Sequence, residues 1–172
     1  MREAGQSLQT FIGAGHTAQE ADLIEERIGI IIHKLKFIPD TQRTKVAYIK
    51  DIAPWQFSSD NYVEQAIRLA GGIPQIDPTL PDFSPEVLVI LSNQPVGQLL
   101  GQLPDMLSGD FWPETAAVKN NQVFLVHHPE YLRTPGLHPA DDVEILPEII
   151  NPGYFVFGRD EDAWINFAIS TS

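Results

Sequence analysis

The chain contains no cysteine in its 172 residues. That removes disulfides, zinc thiolates and a thiol nucleophile, and leaves the compartment open. Positive charge is scarce: 11 Lys and Arg stand against 23 Asp and Glu, for a formal charge of -12. Neutralising phosphate takes clustered cations, so the balance excludes nucleic acid and anionic membrane surfaces as partners. Long apolar runs are missing too. None reaches the roughly 20 residues that span a bilayer, so no membrane insertion is expected. The opening MREAGQSLQT lacks the apolar core of an export signal, and with Met1 as native start the chain reads as cytoplasmic. Catalytic signatures are absent as well: there is no G-x-S-x-G elbow, no phosphate-binding G-x-x-x-x-G-K-[ST], no G-x-G-x-x-G and no H-E-x-x-H. The chain does not read as an enzyme, and no catalytic cofactor is expected.

What is present is enough apolar material, 43% of residues, for one domain or one lobe of a larger two-lobed protein. Thr17 and Glu20 form a capping box. Behind it Ile24, Ile28, Ile31, Leu35 and Ile38 recur at helical spacing, and Pro39 ends the run. Such a helix is roughly 30 Å long at 1.5 Å per residue. Ile30 and Ile32 widen its stripe, which predicts cover on more than one side. Gly13 and Gly15 before the cap could cradle an anion, but no strand leads into them.

From Lys45 the pattern changes to strand and helix in alternation. Val46–Ile49, Val87–Leu91 and Gln122–Val126 read as strands. Helices are expected after Ser58, Ser59 or Asp60, closed by Gly71 and Gly72, and again around Val96–Leu107. A further helix carries Val143, Leu146, Ile149 and Ile150, and a last one, capped by Asp160, carries Trp164, Phe167 and Ala168. The fold class is α/β: a small parallel sheet flanked by helices, with residues 1–44 as an N-terminal segment plus long helix and 45–172 as the α/β lobe.

In such sheets ligands lie beyond the carboxyl ends of the strands. The loops there offer Trp55, Phe57, Asn93, Gln94, Tyr131 and Arg133: flat rings, amides and one planar cation that suits carboxylates, phosphates or amides. The blander reading packs Trp55 and Phe57 under their loop and leaves Tyr131 and Arg133 on a solvated, proline-braced turn. His127, His128 and His138 with Asp141, Asp142 and Glu144 are numerous enough for a metal. Neighbouring strand residues point to opposite faces, however, and His138 and Asp141 sit where a helix start wants a cap, so no metal site is expected. Asp141 and Asp142, adjacent at a helix start, should diverge.

The runs "NYVEQAIRLAGG", "PEVLVILS", "FWPETAAVKNNQVFLV" and "PEYLRTPGLHPADDVEILPEIINP" resemble the C-terminal half of the cobalamin (vitamin B12)-binding substrate-binding proteins of ABC transporters, a family that also includes siderophore and haem receptors. The resemblance implies one lobe of a two-lobed periplasmic-binding-protein-like fold, with residues 17–38 as its backbone helix. It implies a non-catalytic ligand-binding module for cobalamin or another metal chelate such as an iron chelate, working with an N-terminal lobe and an ABC permease in the periplasm or outside the cell. By position, Trp55 matches an aromatic at the ligand cleft, and Tyr131, Leu132 and Arg133 match its aromatic-containing loop. The runs that carry the resemblance set no residues against the family's N-terminal lobe or export signal, so a second lobe is expected from a separate chain or from a region outside these residues. The alternative is a stand-alone lobe that forms a homodimer or binds another protein through the apolar face of helix 17–38.

Overall fold

The computed structural model describes residues 11–13, 15–52, 55–56, 60–75, 77, 79, 83–109, 111–127, 130–151, 155, 157–158 and 163–167. The chain divides into two compact units that interleave along the sequence. One comprises Met1–Arg43, Asp60–Gly72 and Glu130–Gly158; the other comprises Thr44–Ser59, Ile73–Pro129 and Arg159–Ser172.

The first unit is helical. Helix α1, Ala18–Leu35, starts at the capping box: the Glu20 N–H donates to the Thr17 hydroxyl at 3.1 Å, and the Thr17 N–H donates to the Glu20 carboxylate at 3.1 Å. The same bonds hold the Glu20 carboxyl below its ordinary pKa. Ile28, Ile31, Leu35 and Ile38 are buried, as their spacing requires. The expected cover around Ile30 is not found; Ile30 is 49% exposed and Ile32 half-buried. Two residues along a helix is a turn of about 200°, so Ile30 faces away from Ile28 and one packed layer cannot bury both.

Helix α2, Asn61–Leu69, is capped by Asp60, whose carboxylate accepts the N–H groups of Tyr62 and Val63. It ends at Gly71, where φ is +91°. A Cβ there would lie 2.6 Å from Leu35 Cδ2, so both the turn and the packing demand glycine. The third long helix of this unit, Pro139–Ile150, buries Val143, Leu146, Ile149 and Ile150. It also buries Glu148, whose carboxylate accepts the N–H groups of Phe157 at 2.7 Å and Gly158 at 2.9 Å. The charge is thereby satisfied by backbone donors rather than by water.

The second unit is built on a five-stranded sheet. Its strands are β1 (Thr44–Ile49), β4 (Gly72–Pro74, which begins at the unit boundary), β5 (Val87–Ile90), β6 (Val123–Val126) and β7 (Trp164–Phe167), in the order β4-β1-β5-β6-β7. A separate ribbon pairs β2 (Asp51–Ile52) with β3 (Trp55–Gln56). Strand β5 runs parallel to both β1 and β6 and is buried at every position, the reason it reads as a continuous apolar run. Helix α3 (Val96–Leu107) and the short α4 (Ala116–Lys119) join the sheet in one core, where Leu99, Leu103, Leu107 and Trp112 meet Leu88, Ile90 and Leu125. The Pro139–Ile150 helix is therefore α5. The fold is α/β, with a mostly parallel sheet flanked by helices.

One expectation is overturned. Trp164–Phe167 is a strand, paired antiparallel with β6 in the register Val126↔Trp164 and Val123↔Phe167. The three-residue step from Trp164 to Phe167 fits a helix, but aromatic and β-branched side chains also suit a strand, and the edge of β6 supplies the backbone partners. Trp164 meets Phe124 edge-on, ring centroids 5.5 Å apart. Asp160 and Ala168, assigned to the same expected helix, lie outside the described residues, as do Ser58 and Ser59. Among the described residues no helix is long and apolar enough to cross a membrane.

Candidate functional site

The loop that leads into α5 is held by side chains on either side of it. Pro139 opens the helix, with its missing N–H where no partner exists anyway, and His138 stands at the N-cap without a side-chain capping bond. One turn in, Asp142 is fully buried. Its Oδ1 accepts the Leu132 N–H at 2.7 Å, and its Oδ2 accepts the Tyr62 hydroxyl proton at 2.5 Å. Burial pushes the Asp142 carboxyl up to about 6, against the pull of the Tyr62 and Leu132 donors and of nearby His138. The Tyr62 hydroxyl is itself driven well above its ordinary range by burial and by the Asp142 charge.

Leu132 turns the chain with φ at +62° and buries its own side chain. A left-handed leucine is uncommon, and here the Asp142 bond and the burial hold it. Further along, Gly136 has φ +77°, and its carbonyl accepts a bond from His16 Nε2 at 2.8 Å. A Cβ on Gly136 would come within 3.1 Å of the Ile12 carbonyl oxygen. Phe11 then stacks on Tyr62, centroids 4.5 Å apart and rings 4° from parallel. The loop is thus tied to α2, to α5 and to the segment before α1.

Tyr131 and Arg133 flank the buried Leu132. The Tyr131 ring is half-buried and meets His138 edge-on at 5.5 Å. Arg133 Nη1 donates to the Tyr131 carbonyl at 2.8 Å, so the guanidinium is folded back on its own loop. Burial lowers Arg133 to about 10, with the Asp142 carboxylate opposing, which leaves it cationic at neutral pH. Asp141 diverges from Asp142 as expected of adjacent helical residues: it accepts from Arg27 Nη2 at 2.9 Å. Glu144 takes the same guanidinium in a fork, from Nε at 2.9 Å and Nη2 at 2.6 Å, and this pairing holds Arg27 above its ordinary range. An open groove of about 230 Å³ runs beside this cluster, lined by His16, Leu23, Arg27, Leu137 and Asp141 among others.

Of the residues singled out from sequence, Tyr131 and Arg133 share this loop in the helical unit. Asn93 is exposed in the sheet unit, on the turn after β5 that is shaped by the Gln94 N–H bonding to Ser92 Oγ at 3.2 Å. Trp55 opens β3, opposite Ile52. Phe57 and His128 lie outside the described residues. Among the described residues no group of three or more His, Asp or Glu is placed to hold a metal ion. Tyr62, Asp142 and Arg27 were missed as the frame of the loop. The signal was present, since Asp142 falls with Leu146, Ile149 and Ile150 on one helical stripe, and an acid on an apolar stripe calls for a buried donor.

No family model and no curated protein matches the chain. Its fold does match solved structures. An ABC transporter substrate-binding protein from Listeria monocytogenes EGD-e superposes with a TM-score of 0.63 at 14% identity, over 78% of this chain and 58% of that one. S. aureus IsdE, solved in complex with heme, gives 0.58 at 15% identity over 77% of this chain and 58% of its own. A periplasmic heme-binding protein from Pseudomonas aeruginosa gives 0.60 at 14% over 90% of this chain and 60% of its own. The likeness is one of fold. The chain spans about three fifths of the length of each of these proteins.

Proposed function

We propose that the chain is a non-catalytic ligand-binding lobe of a substrate-binding protein that hands a metal chelate, cobalamin or a haem-like iron chelate, to an ABC importer. The observation that carries this reading is the Tyr131–Arg133 loop. Its backbone is clamped through Leu132 to the buried Asp142, so an aromatic ring and a guanidinium are presented with little conformational entropy left to lose. The shared fold supports it, as do the solved neighbours described as heme proteins. In this reading Tyr131 stacks on the flat chelate and Arg133 meets its polar edge, and Trp55, Phe57 and Asn93, singled out from the sequence, are the further candidate contacts. Arg133 exchanges its bond to the Tyr131 carbonyl for one to the ligand. A second lobe completes the cleft, a permease receives the ligand, and the protein works in the periplasm or outside the cell.

The test is titration of the chain with cyanocobalamin and with haemin, read by visible absorbance, beside a Trp55→Ala/Tyr131→Ala double variant. One chelate should bind saturably at one site. The double variant should lose roughly thirtyfold or more in affinity, the scale of two aromatic anchors, with its melting temperature little changed. If neither chelate binds, alone or with a second lobe supplied in trans, the reading is wrong. An equal fall in melting temperature makes Trp55 and Tyr131 structural residues instead.

A further inference from the structure

The apolar stripe legible in α1, from Ile28 to Ile38, is consumed inside the chain, so it offers no docking face. A different stripe is left outside. Leu23 is 59% exposed, Ile30 49% and Phe37 73%. They recur at seven-residue steps, which drift only about 20° per step on a helix, and they span roughly 21 Å at 1.5 Å per residue. Phe37 follows the last turn and is held along this line by edge contact with His33, centroids 6.0 Å apart.

Charge along this face is divided by sign. Asp22 and Glu26 are exposed beside its first half, His33 and Lys36 beside its second. The other cation near the first half, Arg27, is already taken up by Asp141 and Glu144. Gly29 sits beside Ile30 at the middle, where a Cβ would meet nothing within 4 Å. A mid-helix glycine weakens a helix relative to alanine, and the packing among the described residues gives no reason for it.

We infer that this face docks against the same face of a second copy of the chain, with the two α1 helices antiparallel. A two-fold axis between Gly29 and Ile30 sets Leu23 of one copy near Phe37 of the other and each Ile30 against Gly29 of the other copy, where the missing side chain makes room. It also sets Asp22 opposite Lys36 and Glu26 opposite His33, each pair made twice. A parallel pairing would instead put Glu26 against Glu26. The dimer is weak and populated at high concentration, because one helical stripe falls well short of the ~800 Å² per partner of a stable interface. This inference stands apart from the ligand reading and survives or fails without it.

Sedimentation equilibrium across a wide concentration range tests it. The chain should show a monomer–dimer equilibrium, and Ile30→Glu should abolish it while leaving the circular dichroism and melting temperature unchanged. Asp22→Lys should weaken association about tenfold, as two exposed pairs turn repulsive, and the swap Asp22→Lys/Lys36→Asp should restore it. A strictly monomeric chain overturns the inference, as does a dimer indifferent to Ile30→Glu. Failure of the charge swap to rescue overturns the antiparallel geometry. A longer form of the protein that stays monomeric with Ile30 shielded by its own added segment overturns the choice of a second copy as the occupant.

Discussion

Tyr62→Phe removes one oxygen from a buried, charged hydrogen bond and leaves the packing nearly intact, because a phenyl ring keeps the stack with Phe11 at 4.5 Å. The lost bond is the 2.5 Å contact from the Tyr62 hydroxyl to Asp142 Oδ2, in a carboxylate with no solvent exposure. Hydrogen bonds to charged groups contribute about 1.5–3 kcal/mol, so a loss of about 2 kcal/mol is expected where Asp142 is ionised. The pH dependence carries the sharper test. Asp142 in the fold sits at about 6, above the usual aspartate value of about 3.9. A raised acid contributes stability that is full below its unfolded pKa and is lost as pH rises through the folded one. Removing the Tyr62 donor raises that folded pKa further, so the variant loses more over the same rise. The gap between wild type and variant should be near 1 kcal/mol at about pH 4, where a neutral acid loses an ordinary bond, and should widen to about 2 kcal/mol by about pH 8. Urea unfolding followed by tryptophan fluorescence at a series of pH values measures that gap. A gap that stays flat or narrows with rising pH would refute a titrating Asp142 under the Tyr62 hydroxyl.

Gly71→Ala places a methyl 2.6 Å from Leu35 Cδ2 at a residue with φ +91°. It should cost about 2 kcal/mol, or roughly 4–8 °C in a thermal melt, and a variant as stable as wild type would mean the turn can relax. Arg27→Met leaves Glu144, 6% exposed, without its forked partner. Because Arg27 itself is more than a third exposed, the loss is discounted to about 1 kcal/mol at low salt, shrinking as salt is added. A denaturation midpoint that does not respond to salt would show that the pair carries no net electrostatic stability.

The regular elements were legible wherever local chemistry and tertiary packing agree. The Thr17 and Glu20 capping box, the Asp60 cap and the Gly71 stop are local events that short-range spacing reports. Strand β5 announced itself because both its faces are covered, which leaves no polar alternation. The misses came from partners distant in sequence. Strand β7 is a strand because β6 lies beside it, and β4 and the β2–β3 ribbon are too short for any period to show. Ile30 looked like core because isoleucine alone carries no direction around a helix, and its direction is away from Ile28.

The loop before α5 follows the same logic one level up. Its exposed-looking residues, Tyr131 and Arg133, were conspicuous because aromatics and arginine stand out among prolines. What holds them in place was not, since Asp141 and Asp142 look alike in sequence. A turn of about 100° between them gives opposite roles: Asp141 meets Arg27 at the groove, and Asp142 faces inward to Tyr62 and Leu132. The inward carboxylate is an expensive way to hold a loop, since burial raises it to about 6 even against the pull of its Tyr62 and Leu132 donors. An apolar residue at position 142 could not accept the Leu132 N–H, and a left-handed leucine with an unsatisfied buried donor would not persist. The cost therefore attaches to one conformation of one loop. On the proposed reading, that conformation is the one that presents Tyr131 and Arg133 to a ligand.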